Sequence, residues 1–203
     1  MNNAFDLPRS FTDPNVSRLS LYLHGNQGKC LVVTDENWSQ FNWASIGDRQ
    51  NQSLEIFSNR YDIAQKAIKA GLAAEFNDFD FSALEPHSYD AVLYRVSKER
   101  ACSHHVINQA SKLLKMEGEL ILSGEKNDGI KTYVKQACIL FGDRTAAEKQ
   151  GKSYLATITL HQLDQAFLDD KNYPSTRDSK TLPAFSKITK PRFSDFRECR
   201  QCF

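Results

Sequence analysis

The stretch from Tyr89 to Lys131, YDAVLYRVSKERACSHHVINQASKLLKMEGELILSGEKNDGIK, decides the fold. Ala91 to Val96 is a short apolar run that predicts a strand, and His104 to Met116 places Val106, Ile107, Ala110, Leu113 and Leu114 on one helical face. Glu119 to Ser123 has the composition of a buried strand. Two strands joined by a helix pair in parallel, since parallel neighbours need a long crossover. Gly124-Glu125-Lys126-Asn127-Asp128-Gly129 reads as a tight strand-to-helix turn, and the helix it opens runs from Ile130 to Phe141 and stops at Gly142.

The alternation continues on both sides of this stretch. Upstream, Cys30 to Thr34 (CLVVT) is a β-branched run that predicts the first core strand, and Leu54 to Ser58 (LEIFS) predicts the next. Tyr61 to Ala70 puts Ile63, Ala64, Ala67 and Ile68 on one face of a helix that Gly71 ends. Ala73 to Phe76 is a short strand before the aromatic and acidic loop NDFDFSALEPHS, and Tyr154 to Leu160 (YLATITL) is the last strand. Ser17 to His24 fits either a short helix or a strand. Such alternation predicts an α/β domain with right-handed crossovers, a mainly parallel sheet and helices on both faces. The predicted organisation is an N-terminal arm over 1–16, the α/β domain over 17–161 and a basic, turn-rich tail over 162–203.

Composition sets the outer bounds. A chain of 203 residues, 40% hydrophobic and 25% charged, is globular material for one main core. With 26 basic and 25 acidic residues, net charge gives no reason to expect nucleic acid. The distribution says more: residues 171–203 hold 8 Lys/Arg and 3 Asp/Glu, leaving 18 and 22 for the first 170 residues. No apolar run follows a basic N-terminus and no window approaches a membrane span, so a cytoplasmic protein with no membrane contact is expected. Five cysteines, an odd number scattered through apolar segments, suit buried thiols in a reducing compartment.

Three blocks carry a family resemblance. They are Ala91 to Tyr94 with the Lys98-Glu99 turn and the following helix; Leu120 to Lys131; and Lys180-Thr181-Leu182-Pro183-Ala184-Phe185-Ser186. In order and spacing, Tyr89 to Phe185 resembles the N-terminal half of the ribosomal RNA guanine-N2 methyltransferases, the small subunit methyltransferase C family in particular. The first 88 residues match only in general layout. The resemblance implies a Rossmann-like class I methyltransferase sheet. It also implies a tandem duplication, in which a C-terminal copy binds S-adenosylmethionine and reacts. The N-terminal copy has lost its cofactor site and helps to fold, position or bind RNA. The sequence ends soon after the third block, so this chain is expected to be the N-terminal copy alone, its partners being ribosomal RNA or a separate catalytic domain.

The residues can be tested against what such chemistry needs. A cofactor loop after the first strand requires glycine, so that backbone can approach the ligand. Here Asp35-Glu36-Asn37-Trp38-Ser39 offers none, and adds an indole. A carboxylate would end the second strand, where Ser58-Asn59 stands, and Glu55 comes too early. Where an amino-group methyltransferase carries Asn/Asp-Pro-Pro-aromatic, the chain has Tyr94-Arg95-Val96-Ser97, while Asn172-Tyr173-Pro174-Ser175 lies beyond the sheet and reads as a turn. No catalytic residue and no cofactor are therefore expected. Should the chain be an active S-adenosylmethionine-dependent rRNA methyltransferase instead, Asp78 and Asp80 are the candidates to lie near an adenine. A purely structural or interaction protein is the third possibility.

Other motifs are weaker. Cys199-Arg200-Gln201-Cys202 has the spacing of half a zinc site but lacks a second pair, so no metal is expected. His104-His105 are adjacent, face about 100° apart, and predict capping or solvent exposure rather than a ligand pair. His24 and His87 flank loops without evident partners, and neither Cys30 nor Cys138 has a polar context that would activate it. In the tail, Lys180, Lys187, Lys190, Arg192, Arg197 and Arg200 interleave with Phe185, Phe193 and Phe196, a pattern suited to RNA phosphates and bases.

Overall fold

A computed structural model describes residues 13–25, 28–46, 52–163 and 166–173. In chain order the elements are α1 (Pro14–Gly25), β1 (Gly28–Thr34), β2 (Gln52–Ser58), α2 (Tyr61–Lys69), β3 (Ala73–Phe76) and β4 (Tyr89–Arg95). They continue with α3 (Arg100–Leu113), β5 (Leu114–Glu125), α4 (Ile130–Phe141), β6 (Glu148–Gln150) and β7 (Ser153–Thr159). The strands form one sheet in the order β3-β2-β1-β4-β5-β7-β6. β1 lies parallel to β2 and β4, β2 to β3 and β4 to β5, whereas β7 runs antiparallel to both β5 and β6.

The apolar runs explain the layering. β1 and β4 are buried nearly end to end, because a central parallel strand has helices over both of its faces. One face packs Leu31, Val33, Val92, Tyr94, Leu120 and Leu122 against α3 and α4. The other packs Val32, Ile56, Leu93 and Ile121 against α1, α2 and an aromatic knot that follows β1. β1 starts at a glycine for a steric reason. Gly28 has φ +115°, and a Cβ there would stand 2.5 Å from Asp90 Oδ2, whose carboxylate accepts the Lys29 amide at 2.7 Å.

The sheet and α4 follow the predicted pattern, with five departures. α3 stops at Leu113 and β5 begins at Leu114, inside the stretch expected to be helix as far as Met116. α1 is a helix and begins at Pro14, inside the stretch expected to be an arm; Asn15 and Val16 are fully buried. α3 begins at Arg100, four residues before the apolar periodicity, because Ser103 Oγ donates to the Ser97 carbonyl at 3.0 Å and ties the strand exit to the helix. β6 is wholly exposed and carries no apolar signal; it forms as the hairpin partner of β7. The start of the segment after β7, which reads as a linker or a docking arm, packs on α3 as far as Tyr173, which is 2% exposed. The rest of the tail lies outside the described residues.

Candidate functional site

In open α/β sheets, ligands meet the carboxyl ends of the strands, so the residues at that edge decide what the fold can do. At the end of β4 stands Arg95, one of the residues in place of the catalytic tetrapeptide. Its side chain is buried and bridges three pieces of chain: Nη2 lies 3.0 Å from Asp128 Oδ2 and 3.3 Å from Asp13 Oδ2, and Nη1 donates to the Val96 carbonyl at 2.7 Å. Asp128 belongs to the 3-10 turn between β5 and α4, where Oδ2 also accepts the Glu125 amide at 3.0 Å. Asp13 caps α1 by accepting the Asn15 amide at 2.7 Å. A guanidinium suits this position because its fork satisfies several acceptors at once, as burial of a charge demands.

The neighbouring positions are occupied by large or hydrogen-bonded side chains. After β1, Asp35 caps a 3-10 turn over Glu36–Trp38, its Oδ1 accepting the Asn37 amide at 3.0 Å. Trp38 is fully buried, stacked on Trp43 at 5.3 Å between ring centroids and set edge-on to Phe41 at 5.2 Å. Burial raises the Asp35 carboxyl from its ordinary 3.8 to about 6, although its bonds to Asn37 pull the other way. Tyr94 is also buried, and its Oη accepts the Ser97 amide at 3.2 Å; desolvation holds this phenol well above its ordinary range. Beside it burial pushes the Cys102 thiol up to about 11, which leaves it a packing group at neutral pH. At the end of β2, Ser58 Oγ accepts the Arg60 amide at 3.1 Å.

Glu55 lies within β2 rather than at its end. It accepts the Tyr89 hydroxyl at 2.6 Å and pairs with Lys29 at 3.5 Å, so it fastens three adjacent strands. Desolvation, with Glu55 alongside, holds the Tyr89 phenol above its ordinary range. Asp78 and Asp80 are both exposed on the loop after β3. Asp80 caps its own turn, accepting the Ser82 amide at 2.9 Å, and bonds from Ser82 hold its carboxyl below the usual range. The residue between them, Phe79, is buried at φ 57°, its amide bonded to Asn77 Oδ1 at 2.9 Å. The loop thus points its aromatic inward and its two acids toward solvent.

His104 and His105 are buried rather than capping or exposed, because α3 is covered on two sides. His104 bonds to the Asp169 carbonyl at 2.8 Å and to Gln136 at 3.1 Å, while His105 meets Asp170 at 3.2 Å and the Phe79 carbonyl at 3.0 Å. The His105 ring also stacks on Tyr173 at 5.2 Å. Asn108 completes the attachment, exchanging two 2.8 Å bonds with the backbone of Leu168 as a neighbouring strand would. His87, expected to be partnerless, bonds to the Leu114 carbonyl at 3.1 Å. Lys171 to Tyr173 form a turn, with Lys171 and Asn172 at positive φ, while Pro174 and Ser175 of the turn expected from the sequence lie outside the described residues. Lys180, Lys187, Lys190, Arg192, Arg197 and Arg200, with Cys199 and Cys202, lie outside the described residues. Among the described residues no group of three or more His, Cys, Asp and Glu is arranged to hold a metal, and no helix is long and apolar enough to cross a membrane.

Sequence reasoning marked Tyr94-Arg95-Val96-Ser97 but missed the Arg95 network. The available signal was a cation at the end of an otherwise apolar strand, followed by an aspartate just before the helix-opening Gly129.

The strand order, with its antiparallel β7, defines the Rossmann-like class I methyltransferase fold. Residues 27–146 match the family described as methyltransferase small domain N-terminal, and the chain belongs to that family. Among solved structures it is similar to the T. Thermophilus 16S rRNA N2 G1207 methyltransferase (RsmC) in complex with AdoMet and guanosine, at 20% identity and a TM-score of 0.63. That similarity covers 79% of this chain but 42% of the other, so the chain spans less than half of that enzyme's length. The PH0226 protein of Pyrococcus horikoshii OT3 is similar at 13% identity and a TM-score of 0.54, over 72% of this chain and 88% of that one. A ribosomal protein L11 methylase of Lactobacillus delbrueckii subsp. bulgaricus is similar at 10% identity and a TM-score of 0.52, over 72% and 79%. Likenesses this distant concern the fold alone. No curated protein sequence matches the chain.

Proposed function

We propose that this chain is a non-catalytic methyltransferase-like module, related to the rRNA guanine-N2 methyltransferases, that recognises RNA or a partner in the cytoplasm. The observation that carries this reading is Arg95, whose buried ion pairs with Asp128 and Asp13 tie β4, α1 and the β5–α4 turn together at the edge where the fold would hold its reactants. S-adenosylmethionine does not fit the residues present. The loop after β1 has no glycine and turns Trp38 into a stacked aromatic knot, and β2 ends on a hydroxyl bonded to Arg60. No acceptor pair for a target amine stands at Tyr94-Arg95-Val96-Ser97, which has no Asn or Asp and whose Val96 and Ser97 carbonyls already accept from Arg95 and Ser103.

Two assays on the purified chain test the proposal. Incubation with tritiated S-adenosylmethionine and ribosomal RNA should leave the RNA unlabelled, and a gel shift with the same RNA should show a complex that weakens as salt rises. Methyl transfer by the chain alone contradicts the proposal.

A further inference from the structure

One surface gathers six cations around two depressions, with no carboxylate among the described residues paired to any of them. Lys126 on the 3-10 turn after β5, Lys131 and Lys135 on α4, Arg144 beyond it, and Lys149 and Lys152 on the β6–β7 hairpin are all exposed. None forms an ion pair with a carboxylate of the described residues, whereas Lys29, Arg60, Arg95, Lys115 and Lys171 all do. Nearby acids are committed elsewhere. Asp128 holds Arg95, Glu125 accepts a backbone amide in the cap of the same turn, and Asp143 accepts the Arg144 and Thr159 amides and the Thr145 hydroxyl. Glu148 is the exposed acid that remains on the hairpin. Lys131 and Lys135 stand four apart on one helix, where like charges repel and a bound anion relieves the repulsion.

Two depressions run between these cations. One, of about 280 Å³, is lined by Glu125, Lys126, Asn127, Lys149, Lys152 and Tyr154. The other, of about 470 Å³, lies between α4 and residues 144–147, and its lining combines the apolar Val134, Cys138 and Ile139 with Lys131, Lys135 and Arg144. They meet at Lys131, which lines the second and sits 5.1 Å over the ring of Tyr154 in the first. Ile139 is 65% exposed in this setting. A polar notch carrying ammonium groups beside a cleft of apolar and cationic side chains suits a polyanion that carries flat apolar groups at intervals.

We infer that this surface binds single-stranded RNA: the notch of Lys126, Lys149 and Lys152 holds a backbone phosphate, and the cleft beside Ile139 takes an unstacked base. The inference deepens the proposed function and rests on its RNA reading. A duplex would present phosphates to both depressions and leave the apolar one without a partner. An acidic protein segment is the competing occupant.

Binding of a short fluorescein-labelled oligouridine, followed by anisotropy across a salt series, tests the surface in the full chain. Replacing Lys126→Gln, Lys131→Gln, Lys149→Gln and Lys152→Gln together should weaken binding by about tenfold or more and lower the log–log salt slope by about 2 to 3, while arginine at the same four positions retains it. Replacing Lys187→Gln, Lys190→Gln, Arg192→Gln and Arg197→Gln serves as the comparison and should have the smaller effect. If the tail set abolishes binding and the first set binds like wild type, the surface assignment falls while the RNA reading stands. If the wild-type chain binds neither oligouridine nor ribosomal RNA, both fall. Competition by polyglutamate as strong as that by RNA of equal charge assigns the surface to acidic polypeptides and overturns the inference.

Discussion

At the scale of single residues, the chain spends its polar side chains on internal fastening. Arg95 shows why this was only half legible. Its place at the end of a strand is plain in the sequence, but Asp13 and Asp128 lie far from it along the chain, and only the fold brings them to one guanidinium. Asp35 gives a prediction with a definite sign. Burial raises its carboxyl from 3.8 to about 6, so the folded state holds the proton more tightly than the unfolded one. The associated stability is full below about pH 3.8 and is lost as pH rises through about 6; above that, the buried carboxylate costs at most about 3 kcal/mol. Asp35→Asn, which keeps an oxygen for the Asn37 amide, should therefore stabilise the protein by about 1–3 kcal/mol at neutral pH and by far less near pH 4. Urea unfolding at both pH values measures the difference, and an equal gain at both would refute the assignment.

At the scale of elements, legibility follows apolar periodicity. α4 carries it from Ile130 to Phe141 between two glycines at positive φ, and its bounds are readable from the sequence. The first turn of α3 is Arg-Ala-Cys-Ser, without periodicity, and its start is set by Ser97 and Ser103 instead. Residues 166–173 show no helix or strand periodicity; they attach to α3 through the Leu168 backbone on Asn108, the Asp169 carbonyl on His104 and the Asp170 carboxylate on His105, which a pattern search does not register. That attachment is testable. Asn108→Ala removes both bonds to Leu168 and should cost about 1–3 kcal/mol in urea unfolding, with faster hydrogen exchange at the Leu168 amide. Unchanged exchange there would show that the segment is held by other contacts.

At the scale of the whole molecule, strand order and chemistry have separated. The mainly parallel sheet with helices on both faces is readable from alternating strands and helices together with the family blocks from Tyr89 onward, whereas the strand order comes from the fold. The edge strand β6 and the antiparallel turn of β7 are not readable, since neither direction nor pairing is written in a run such as YLATITL. The candidate site was legible as substitutions: tryptophan where glycine is needed, and Tyr-Arg-Val-Ser where an acceptor pair is needed. How those substitutions are packed required the fold. A stacked Trp38 and a triply engaged Arg95 are side chains that hold a domain together, and the proposal that this domain lacks a cofactor site rests on them. Isothermal titration of the purified chain with S-adenosylmethionine tests that claim most directly. No saturable heat is expected up to about millimolar ligand, and a micromolar dissociation constant, about 8 kcal/mol of binding free energy, would show that the cofactor site is intact.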